Sequence, residues 1–92
     1  MPVRPINRIA AEIAVAMKDI KLKSDPIWIK WSIPYVHAML QISSPSDQYG
    51  LEPGEDIILR FLSNAQAWRG EQARRIKAEL RLAMKEASDA HN

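Results

Sequence analysis

Cysteine is missing from this 92-residue chain. That excludes a disulfide framework, a thiolate metal site and a cysteine nucleophile, and it fits a reducing cytoplasm, the expected location. Histidine occurs twice, at His37 and His91, which is no metal-ligand spacing, so neither a metal nor any other cofactor is expected. Glycine occurs three times, and neither a glycine-rich phosphate loop nor an H-E-x-x-H helix can be read from the chain. Long apolar runs are also lacking. Lys18 and Asp19 interrupt the best N-terminal candidate, so no signal peptide or membrane span is expected. The serines around Pro45 have no histidine base nearby in sequence. Glu55 and Asp56 are adjacent, hence about 100° apart on a helix, and do not make an acid–base pair. An enzyme is not expected.

What is present is the composition of an ordinary folded protein, 47% hydrophobic and 26% charged. A chain of this length supports one domain and buries roughly 60–65% of its unfolded surface. The whole of 1–92 is therefore read as a single helical domain, with 1–5 as an extended lead-in and 88–92 as a frayed tail. Net charge is only +2, too little by itself to mark a nucleic-acid binder. Its distribution is more informative. Asp47, Glu52, Glu55 and Asp56 form an acidic belt with no lysine or arginine between Lys30 and Arg60, and both flanks are basic. Such a pattern suits internal pairing, self-association or an anionic ligand.

Hydrophobic spacing predicts four helices. Ile6, Ile9, Ala10, Ile13, Met17 and Ile20 fall on one face of a helix over about 7–20, with Asn7 as a candidate cap. Ser24, Asp25 and Pro26 signal a turn. Residues 27–31 alternate weakly, and with no second convincing strand to pair with they read as an apolar connector or a short helical turn. Ser32 followed by Pro34 resembles a helix start, giving a second helix to about residue 41 or 42. His37 on that helix reads as a surface or hydrogen-bonding group. Residues 47–50 suggest one helical turn stopped by Gly50. Glu52 to Asp56 then opens a third helix with carboxylates at its positive end, and Ile57, Ile58, Phe61, Leu62 and Ala65 make its apolar stripe. A second stripe, Ala73, Ile76, Leu80, Ala83, Met84 and Ala87, is rotated by roughly 60° at 100° per residue. Gly70 costs about 1 kcal/mol inside a helix, so a break near 68–70 is favoured, with a fourth helix over about 70–87. The fold class is all-α: a compact bundle of about four helices, with the third and fourth forming a hairpin around Trp68 and Gly70.

Two groups of candidate contacts stand out. Arg74, Lys77, Arg81 and Lys85 line one side of the last helix, and Trp68 and Arg69 precede it beside Gly70. Together these make a candidate site for an anion or nucleic acid: guanidinium and ammonium groups pair with phosphate, and free amides at a helix start add to them. Asn64 and Tyr49 join that corner if the loops converge. The bland reading makes Trp68 a plug and the cations a solvated face. Trp28, Trp31, Tyr49 and the outward-facing Leu82 form the second group, candidates for a protein partner, although tryptophans three apart also serve as core packing. Arg75 is expected to pair with Glu79 one turn on.

The segments Arg4-Pro5-Ile6-Asn7-Arg8-Ile9-Ala10, Pro34-Tyr35-Val36-His37-Ala38-Met39, Asp47-Gln48-Tyr49-Gly50, Phe61-Leu62-Ser63-Asn64-Ala65 and Trp68-Arg69-Gly70-Glu71-Gln72-Ala73-Arg74-Arg75-Ile76-Lys77-Ala78-Glu79-Leu80 resemble, in this order, a group of small uncharacterised proteins encoded mainly by phages of actinobacteria. The resemblance spans nearly the whole chain and carries over no functional residues. It implies a small non-enzymatic phage protein that engages or inhibits a host protein in the host cytoplasm, with self-association. The alternative is an accessory protein that binds nucleic acid or a nucleotide through the basic face of the C-terminal helix.

Overall fold

Pro5 starts the first helix. Its φ of −55° and ψ of 147° keep the lead-in extended, and its carbonyl accepts the amides of Arg8 and Ile9. In the computed structural model, which describes residues 3–89, helix α1 spans Ile6–Lys23. It begins one residue earlier than the apolar spacing predicts, and Asn7 lies inside it, with no side chain capping the start. The Ile6 amide is instead taken by the Ser43 carbonyl at 2.9 Å. The helix also runs three residues longer, because Lys21, Leu22 and Lys23 are good helix formers and the lysines complement the dipole. It stops where Asp25 takes a left-handed φ of 43° and the Ser24 amide folds back to the Ile20 carbonyl.

Helix α2, Ile27–Met39, corrects two expectations. Of the two readings of residues 27–31 the helical one holds, but as the first turns of this helix, so it does not begin at Ser32, and Ser32 is no cap but a fully buried mid-helix residue. The buried set Trp28, Ile29, Ser32, Val36 and Met39 has helical spacing that the alternation of Ile27, Ile29 and Trp31 conceals. Pro26, with its fixed φ, launches the helix. Pro34 is tolerated inside because it sits on the exposed face beside Lys30, where the carbonyl it leaves without an amide faces water.

The 47–50 stretch is not a helical turn. Strands β1 (Gln48–Tyr49) and β2 (Glu52–Pro53) pair antiparallel, Gln48 with Pro53 and Tyr49 with Glu52. Gly50 takes φ +63° in the two-residue loop between them, the conformation such hairpins demand of their first loop residue. The Asp47 carboxylate accepts the Ser43 and Ser44 amides at 2.8 and 3.0 Å, which folds the preceding loop.

Helix α3, Gly54–Asn64, has Glu55 and Asp56 in its first turn as expected. It packs chiefly on α2. A 3-10 turn, Ala65–Ala67, and an extended Trp68 lead to Gly70 at φ +112°, so the break is a full turn. Helix α4 then runs Glu71–Asp89. It touches α3 across this turn and leans more heavily on α1. Ser88 and Asp89 are helical, while the rest of the expected frayed tail, with His91, lies outside the described residues. The architecture is all-α with one small hairpin.

One apolar core joins the elements. Ile9, Ile13, Met39, Ile58, Phe61, Ile76 and Leu80 are fully enclosed. Trp28 and Trp68 stack within it, ring centroids 5.7 Å apart and planes 21° from parallel. Between α1 and α4 runs a polar clamp. Arg4 grips Glu79 through Nε at 2.9 Å and Nη2 at 2.7 Å, and it also lies 2.9 Å from Glu12. Glu12 in turn accepts Gln72 at 3.1 Å and pairs with Arg75. Arg75 therefore reaches across to α1, and the expected pairing with Glu79 is replaced by the Arg4 fork. Arg75, then Gln72 and Arg4, hold the Glu12 carboxyl down at about 2, while Arg4 holds Glu79 below its ordinary range. Among the described residues no helix is long and apolar enough to cross a membrane.

Candidate anion-binding cleft

The turn into α4 builds a cleft because its own corner is pinned from inside. Trp68 is 5% exposed, locked against Trp28, and its amide bonds the Ala65 carbonyl at 3.0 Å. Gly70 reverses the chain in a conformation that a side chain rarely adopts, and its carbonyl receives the Arg74 amide at 3.0 Å to begin the helix. With the backbone anchored there, Arg69 projects from the turn, and Arg74, Lys77 and Arg81 follow at i, i+3 and i+7 along one side of α4.

These four cations, with Gln66, Trp68 and Gly70, line a cleft of about 300 Å³. Among the described residues no carboxylate lines it. The ion pairs among the described residues engage Arg4, Arg60 and Arg75, and none engages a cation of the cleft. Lys77 is half-buried and donates from Nζ to the Trp68 carbonyl at 2.6 Å. Burial, then the nearby Arg81 and Arg69 charges, push its pKa below the ordinary lysine value. An ammonium depressed by neighbouring cations gains from any anion that enters.

Arg74 and Arg81 lie seven residues apart, roughly 10 Å along the helix axis. Phosphates of one strand in a duplex advance about 3.4 Å each along its axis. The length of the row thus equals the axial advance of about three phosphates. Lys85, exposed one turn beyond Arg81 and outside the cleft lining, extends it. The arginines offer planar donor forks for bidentate phosphate contacts, and Lys77 offers a point charge at the floor.

The structure thus gathers Arg69, Arg74, Lys77 and Arg81 as the sequence suggests and corrects the part assigned to Trp68. Its indole is stacked in the core and nearly enclosed, which leaves no face for a ligand to stack on, while its carbonyl holds Lys77. Asn64 does not join the corner, since its amide turns to the Trp31 carbonyl at 3.4 Å, and Tyr49 is not among the lining residues. Of the candidate partner contacts, Trp31, Tyr49 and Leu82 are 58%, 39% and 45% exposed, on three different elements. Trp28 is 5% exposed and is removed from that group, because a side chain enclosed by its own core cannot meet a partner. Gln66 was not legible in advance; its place depends on the 3-10 turn, which carries no clear sequence signal. His37 is exposed on α2, and the described residues contain no cluster of potential metal ligands. Comparison with family models, curated proteins and solved structures returns no match, so the chemistry of the cleft is the guide to function.

Proposed function

We propose that the protein is a non-enzymatic accessory protein, of the phage type its sequence resembles, that binds the phosphate backbone of nucleic acid through Arg69, Arg74, Lys77 and Arg81. One observation carries this reading: four cations converge on one cleft that, among the described residues, no carboxylate lines. A nucleotide pocket is less well supported, because the only aromatic residue lining the cleft has its ring in the core. The contact is then with phosphate and reads little of the base, giving sequence-neutral binding.

Fluorescence anisotropy of a labelled random-sequence duplex at low salt tests the proposal. Arg74→Ala together with Arg81→Ala weakens binding at least tenfold, on the order expected for two lost phosphate contacts, while Leu82→Asp leaves it intact. Absence of binding by the native protein at low salt refutes it. A second reading, engagement of a host protein, is supported by the exposure of Trp31 and Leu82. It makes the opposite pair of predictions: loss with Leu82→Asp, and indifference to the arginine changes and to salt.

A further inference from the structure

A second surface, independent of the basic cleft, lies between α1 and α2. A groove of about 320 Å³ runs there over Met17, Ile33 and Leu40, edged by Lys18, Lys21 and His37. Ile33 and Leu40 are 48% and 36% exposed. The carboxylates of α1 lie off the rim, since Glu12 and Asp19 fall roughly 150° and 130° round the helix from the middle of the Ala14, Lys18 and Lys21 stripe at 100° per residue.

The same chain presents the complement of this groove elsewhere. The β1–β2 hairpin holds Leu51 at its tip, 97% exposed, with Tyr49 beside it at 39%. Glu52 follows that apolar knob on β2, and Glu55 and Asp56 open α3 directly after it, in a stretch without lysine or arginine from 31 to 59. Glu52 has one loose partner, Arg60 at 3.4 Å, and no ion pair among the described residues engages Glu55 or Asp56. An apolar knob followed by acids complements an apolar groove edged by lysines in polarity and in sign.

We propose that the groove of one copy seats the hairpin of a second copy, with Leu51 on the apolar floor and the neighbouring carboxylates of Glu52, Glu55 and Asp56 against Lys18 and Lys21. Knob and groove are different patches, so the contact is heterologous, and each bound copy still offers a free hairpin or a free groove. A hairpin in a groove buries less than the roughly 1,200 Å² total of a standard stable interface, so the association is weak and concentration-dependent.

Sedimentation equilibrium of the full chain, carried up to about 1 mM to reach weak affinities, tests this. The native protein's average mass rises with concentration. Leu51→Asp and Ile33→Glu each remain monomeric. An equimolar mixture of the two variants recovers a species of two chains and grows no further, because one intact groove meets one intact hairpin. Circular dichroism checks that both variants are folded; if Ile33→Glu is not, Lys18→Glu with Lys21→Glu replaces it as the groove-side change. A native protein monomeric throughout, a hairpin variant that associates like the native chain, or a mixture that stays monomeric overturns the proposal.

Discussion

Replacing Gly54 by alanine separates local propensity from packing, because the two predict opposite signs. Gly54 is the first residue of α3, and alanine is favoured over glycine by up to about 1 kcal/mol in a helix. The surroundings reverse this. A Cβ at Gly54 meets the Asp47 carbonyl oxygen and Ile42 Cδ1 at 2.9 Å and the Pro45 carbonyl oxygen at 3.0 Å. Ile42 can move its terminal carbon, but the two oxygens belong to backbone that already accepts the Gly54 amide at 2.7 Å and the Glu55 amide at 3.0 Å. The methyl must push apart the junction between the 43–47 loop and α3, at the ~1–3 kcal/mol typical of overpacking and with strain on hydrogen bonds worth ~1 kcal/mol each. The net expectation is a loss of about 2 kcal/mol, or ~8–16 °C in Tm for a domain of this size. Thermal and urea unfolding followed by circular dichroism measure it. Gly50→Ala is the control: nothing lies within 4 Å of its Cβ, and only the left-handed backbone costs about 1 kcal/mol. A Gly54→Ala protein as stable as the native one, or more so, refutes the close-packed junction.

Other changes probe the clamp, the core and the cleft. Glu12→Gln removes a carboxylate held at about 2; a depressed pKa stabilises the fold above the ordinary carboxylate range and loses that effect as pH falls through about 2. The variant is therefore less stable at neutral pH, by ~1 kcal/mol after allowing for half-exposed arginine partners, and the deficit closes in an unfolding series from pH 5 down to 2. Trp68→Ala empties one half of the tryptophan stack and costs ~3–5 kcal/mol, with loss of near-ultraviolet dichroism. Ser32 is fully buried and its hydroxyl has no partner among the described residues, so Ser32→Ala stabilises the protein by ~1 kcal/mol in urea titration. Lys77 carries a depressed pKa, so phosphate affinity weakens as pH rises toward that value, earlier than for an ordinary lysine, and Lys77→Met abolishes that pH dependence in a binding titration.

The helices were legible where apolar residues kept one strict period, as in α1, α3 and α4. The start of α2 was not, because Trp31 and Ile27 are exposed and blur the pattern, and because Pro34 in mid-helix resembles a helix start until its solvent-facing position is known. The hairpin at Gly50 was hidden by its length, two residues on each side, too short for any alternation. Along α4 the basic row followed from spacing alone. The same spacing puts Arg75 on the far side, but that its partner is Glu12 and not Glu79 required the relation of α4 to α1, which no local pattern encodes. Trp28 and Trp68 illustrate the same limit: each is an ambiguous large side chain in sequence, and only their mutual stacking assigns both to the core.

The salt dependence of duplex binding tests the central claim most directly. Contact with three or four phosphates predicts a log–log slope of about −2.7 to −3.6, reduced by about 1.8 when Arg74 and Arg81 are both alanine. A slope near zero, or one unchanged by the double substitution, contradicts the assignment of the cleft to a nucleic-acid backbone.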